Sequence, residues 1–73
     1  MAEREPLPPW LVYPEIPARS IGWRMGGGED AYDEFYKWIS RLSDAEAADY
    51  ATRYPEPRGW HGKYAQIRAH PWK

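Results

Sequence analysis

The composition of the core is the tightest limit on this chain. Leu, Ile, Val and Phe number nine, whereas five Trp, six Tyr and the one Phe make twelve aromatics in 73 residues. So few aliphatics would mark a disordered chain if the net charge were high. Here ten bases almost cancel eleven acids and rings are plentiful, so folding around an aromatic core is expected. A domain of this size buries only about 60% of its unfolded surface. Such domains lean on disulfides, a metal or a partner. The absence of cysteine removes disulfides and Cys-based zinc sites. His61 and His70 are nine residues apart, which is not the one-turn spacing of a helical metal pair. No metal and no cofactor is therefore expected. The remaining supports are association with something else and wrapping of the termini over the helices.

No apolar run approaches the ~18–20 residues of a membrane span. The N-terminal Met-Ala-Glu-Arg-Glu-Pro lacks a basic region followed by an apolar stretch, so no signal peptide is expected and the default compartment is the cytoplasm.

Along the chain, residues 1–19 hold five of the eight prolines: Pro6, Pro8, Pro9, Pro14 and Pro17. Proline fixes φ and removes a donor, so this stretch is expected to be extended, largely polyproline II, and neither helix nor central strand. Leu7, Trp10, Leu11, Val12, Tyr13 and Ile16 ride on it. It reads as a strap laying apolar side chains across the rest. In 19–28, Ile21, Trp23 and Met25 alternate with smaller or polar residues, a period of two that suits a short strand. Gly26, Gly27 and Gly28 follow as a turn. From Glu29 to Leu42, Tyr32, Phe35, Tyr36, Ile39 and Leu42 keep helical spacing. Acids lead and bases trail, as the helix dipole favours. Ser43-Asp44-Ala45-Glu46 reads as a capping box that opens a second helix with Ala47, Tyr50, Ala51 and Tyr54 on its apolar face. Pro55 ends it. With about one residue between them, the two helices form a hairpin or corner, and the alanines of the second invite close approach. The pattern of 63–69 does not choose between helix and strand.

The near-zero net charge hides a split. Residues 1–56 carry six bases against eleven acids, a net −5, and residues 57–73 carry four bases and no acid. The basic stretch is interleaved with Trp60, Tyr64 and Trp72. The bland expectation is that it folds back on the acidic helices. The alternative is a single-strand nucleic-acid or nucleotide site made of Arg58, Trp60, Lys63, Tyr64, Arg68 and Trp72, where bases stack on rings and phosphates meet cations.

The glycine triplet lacks the Gly-x-x-x-x-Gly-Lys-Ser/Thr pattern of a phosphate loop, and Glu29 and Asp30 would repel a phosphate there. Pro6–Pro9 and Pro14–Pro17 have Pro-x-x-Pro spacing, a weak docking signal. Ser20, Ser40, Ser43 and Thr52 are the hydroxyl candidates for a nucleophile, and no spacing pairs one with a base, so no catalysis is expected. The aromatic surplus carries the functional expectation. So many rings leave some at the surface, where Trp, Tyr and Arg are enriched in protein contacts. The candidates are Trp23 with Arg24, and Trp60 with Arg58.

The chain is thus expected to be one small, mainly α domain over 1–73. A helical hairpin at 29–54 is wrapped by extended, proline- and aromatic-rich termini, with room for a two-stranded ribbon around 20–25. Its expected role is a small non-enzymatic protein-binding module, an accessory subunit or an inhibitor. Another protein is the expected partner, nucleic acid the alternative, and a second copy of the chain also fits. No membrane association is expected.

Overall fold

The longest element, here called α2 (Gly26–Arg41), buries Phe35 and Ile39 one turn apart and leaves its charged residues outside. The computed structural model describes residues 5–72. Around α2 are α1 (Pro9–Val12), a 3-10 turn (Ile21–Arg24), α3 (Asp44–Arg53), a second 3-10 turn (Arg58–Trp60) and α4 (Lys63–Ala69). The fold is mainly helical, and no strand occurs among the described residues. No helix among them is long and apolar enough to cross a membrane. Phe35, Ile39, Tyr50 and Ile67 form the core, fully buried, with Trp10, Trp38, Leu42, Tyr54 and Tyr64 packed against it.

The expected ribbon at 20–25 is replaced by the first 3-10 turn. Ser20 Oγ accepts from the Gly22 amide at 3.0 Å, a local side-chain bond that competes with strand pairing. The alternation was misleading because only Trp23 of its three apolar residues is buried. Ile21 and Met25 are 71% and 61% exposed. The indole N–H of Trp23 donates to the Pro17 carbonyl at 2.8 Å, which fixes the ring inward.

Helix α2 begins at Gly26, three residues before the expected start. Gly26 has φ +52°, a region costly for residues with a Cβ. At Gly28 a Cβ would lie 2.3 Å from the Gly22 carbonyl oxygen, so the helix can lie this close to the 3-10 turn only with glycine there.

The strap is not wholly extended either. Pro9–Val12 make one α-helical turn with Pro8 as its N-cap. Proline is accepted there because the first amides of a helix have no intrahelical acceptor. The segment is nevertheless laid on the helices. The Tyr50 hydroxyl donates to the Pro6 carbonyl at 2.7 Å, and Arg53 donates to both carboxylate oxygens of Glu5 at 2.7 and 3.1 Å. The part of the strap at residues 1–4 lies outside the described residues, as does Lys73.

The capping box is present in full. Ser43 Oγ accepts from the Glu46 amide at 3.1 Å, and the Glu46 carboxylate accepts from the Ser43 amide at 2.9 Å. That amide hydrogen bond holds the Glu46 carboxyl below the usual glutamate range. Replacing Ser43 by Ala should cost about 0.5–2 kcal/mol in urea unfolding, and Asp should cost far less. Equal losses would remove capping as the role of this hydroxyl.

Helices α2 and α3 meet at a corner and not as a tight hairpin. α2 packs on the first 3-10 turn, α4 and α1 in preference to lying along α3. Phe35 of α2 and Tyr50 of α3 meet with ring centroids 6.0 Å apart, so the two helices touch through rings.

The basic C-terminal stretch folds back, as the bland expectation had it, and residues 63–69 are helix. Glu56 takes the place of a cap, accepting from the amides of Gly62 at 3.2 Å and Tyr64 at 2.8 Å. Arg68 donates to the carbonyls of Ile39 at 3.1 Å and Leu42 at 2.8 Å, and to Asp44 at 2.6 Å. One guanidinium thereby satisfies the end of α2 and meets the start of α3, the two sites where dipoles leave carbonyls and an acid.

Tyr50 and Tyr64 give the fold an alkaline limit. Burial, aided by neighbouring negative charge, pushes both phenols above their ordinary range. The unfolded chain ionises them near pH 10 and the folded chain resists, so stability is full below that pH and falls as pH rises beyond it. Melting temperatures measured from pH 8 to 11.5 should drop above about pH 10, and less steeply in Tyr64→Phe. A flat profile would contradict the burial of these hydroxyls.

Candidate interaction surface

Four residues were expected to carry a contact, and the structure divides them by type. Trp23 and Trp60 are each only 6% exposed. Their rings touch at 5.1 Å, and Trp60 also meets Trp10 at 5.3 Å and Tyr32 at 6.2 Å. They stand in for the missing aliphatics, and the little that each leaves open lines a groove. Arg24 and Arg58 are exposed beside them.

The six residues of the nucleic-acid alternative are likewise engaged within the fold or dispersed. Trp60 is buried. Tyr64 donates its hydroxyl to the Tyr54 carbonyl at 2.7 Å. Arg68 is taken up at the α2–α3 corner. Trp72 is 45% exposed, with its ring on Tyr36 at 6.0 Å and Lys37 over it at 4.7 Å. Lys63 Nζ lies over the Tyr32 and Trp60 rings at 5.1 and 5.9 Å, and Arg58 sits on the second 3-10 turn. No row of open rings results. His61 and His70 lie at opposite ends of α4.

What the fold builds instead is a pair of adjoining grooves on the face formed by residues 10–24. One, of about 420 Å³, is walled by Leu11, Pro14, Ile16, Pro17 and Pro57 over Trp10 and Trp60, with no charged residue in its lining. The other, of about 540 Å³, is lined by Arg19, Ser20, Ile21, Arg24, Tyr32 and Lys63, with no acid. Ala18 belongs to both and forms the ridge between them. That ridge is held down tightly, since a Cβ on Gly59 would stand 3.0 Å from the Ala18 Cβ.

Donors converge in the second groove. Lys63 Nζ donates to the Tyr32 hydroxyl at 2.8 Å and to the Gln66 side chain at 3.2 Å. An ammonium has three protons and a phenol one, so each retains a donor to give. Neither Arg19 nor Arg24 is paired with an acid among the described residues, whereas Arg53 and Arg68 are.

Sequence reasoning found Arg24 and missed Arg19, Leu11, Ile21 and Met25. A signal was there: residues 16–28 contain Arg19 and Arg24 and no acid. Lys63 was named for another reason, and its place beside Arg19 and Arg24 is a tertiary fact. Comparisons with protein-family models, with curated proteins and with solved structures find no match to this chain.

Proposed function

We propose that this protein is a small non-enzymatic binding module for another protein, acting as an accessory subunit or as an inhibitor that covers a partner surface. One observation carries the reading. Of the six large hydrophobic residues exposed among the described residues, five (Leu7, Leu11, Val12, Ile21 and Met25) fall between positions 7 and 25. The exposed positions of α2 beyond its glycines are all charged: Glu29, Asp30, Glu34, Lys37 and Arg41. Leu11 and Ile21 line the adjoining grooves, and apolar groups exposed together mark contact sites more often than scattered ones do. Arg24 and Arg58 supply the polar rim around them, and Trp23 and Trp60 act beneath as the support that holds this layer in place.

The test is capture of partners from extracts of the native host by the full chain. Leu11→Asp and Ile21→Asp replace exposed side chains and should melt close to wild type. Both should lose a protein that wild type retains, while Ala48→Lys, at an exposed position of α3, keeps it. Identical captures by all four proteins would remove this reading, and self-association lost in the same two variants would make the partner a second copy.

A further inference from the structure

We propose that the paired grooves bind an acidic, extended segment of the partner protein, with its carboxylates against Arg19, Arg24 and Lys63 and an apolar side chain in the adjoining proline-walled groove. The proposal deepens the protein-binding reading and rests on it.

Charge is the first argument. Arg19, Arg24 and Lys63 line one groove, and none is paired with an acid among the described residues. Without these three the chain carries seven bases against eleven acids, a net −4, so three cations left together are out of keeping with the rest of the chain. Like charges gathered without counter-charge are unfavourable by themselves and favourable to an anionic partner. The Tyr32 hydroxyl accepts from Lys63 and so keeps its own proton as a further donor.

The neighbouring groove decides the class of anion. Its lining is wholly uncharged and rich in proline, with Trp10 and Trp60 as floor. A nucleic acid following the cations would bring phosphates into an apolar channel, where nothing neutralises them. It would also find no open row of rings to stack on, because Trp23 and Trp60 are buried and Tyr32 is covered by Lys63. A polypeptide alternates polar and apolar side chains along one extended strand, so it can present carboxylates on one side of the Ala18 ridge and an aliphatic group on the other.

The probe is a blocked hexapeptide of glutamates around one leucine, titrated into the full 15N-labelled chain. The expected result is shifts in the amides of Arg19, Ile21 and Arg24 and in those of Leu11 and Ile16. Affinity should fall about tenfold or more in the double variant Arg19→Glu, Arg24→Glu, and as much when the peptide's glutamates become glutamines. Both substituted arginines are exposed, so this variant should fold, which its melting curve checks. The proposal is overturned if millimolar peptide causes no shift, or if the glutamine peptide binds equally. It is also overturned if oligo-thymidylate binds these residues more tightly, or if inorganic phosphate alone gives the full pattern. Host capture separates the two readings. A partner lost by Ile21→Asp and kept by the double arginine variant means that the module binds protein without the acidic segment. Peptide binding with no partner dependent on Leu11 or Ile21 means the reverse.

Discussion

The Phe35→Ala protein is expected to be unfolded, or nearly so, at room temperature. Phe35 is fully buried and its ring meets Trp10 at 5.5 Å, Tyr64 at 5.8 Å and Tyr50 at 6.0 Å. These neighbours come from α1, α4 and α3, so one ring joins every helix to α2. Removing a core phenylalanine costs about 3–5 kcal/mol. The surrounding rings are rigid and cannot collapse into the void as aliphatic chains do in part. A domain this small has a total stability at the low end of about 5–15 kcal/mol, so the loss consumes most of it. Far-UV circular dichroism and thermal melting would show it. A melting temperature within a few degrees of wild type would mean that the core lies elsewhere.

Trp60→Ala should be nearly as damaging, again about 3–5 kcal/mol, and it separates core from contact. Trp60 is the hub between Trp10, Trp23 and Tyr32, and it carries the floor of the apolar groove. Its loss should lower the melting temperature and abolish binding together. Arg58→Ala, two residues away and exposed, should change stability by no more than about 0.5 kcal/mol. A Trp60→Ala protein that melts normally and loses its partner would restore Trp60 as a direct contact. One that melts normally and still binds would deny it both roles.

The predictions made from local pattern and those made from exposure fared differently, for physical reasons. The capping box at Ser43 and Glu46 was legible because its parts lie within one turn, and a bond that local needs no tertiary partner. The apolar spacing from Tyr32 to Leu42 was legible for the same reason, since 3.6-residue periodicity depends on one element alone. The alternation of Ile21, Trp23 and Met25 misled because period two is shared by a strand and by chance over so short a stretch. The Ser20 side chain decided against the strand by bonding the Gly22 amide. The proline-rich segment misled in part because proline forbids a helix interior and not its first turn.

By itself, then, the sequence determined that the chain would be helical in its middle, that its core would be aromatic, and where the second helix begins. Only the tertiary structure decided which rings are core, because a tryptophan has the same chemistry inside or out and its place depends on neighbours far along the chain. Trp10, Trp23 and Trp60 are separated by up to fifty residues and meet within about 5 Å pairwise along the chain of contacts. The cationic groove was decided in the same way. Arg19 and Arg24 come from one end and Lys63 from the other, and only the return of α4 across α2, tied by Arg68, brings them to one side of the molecule.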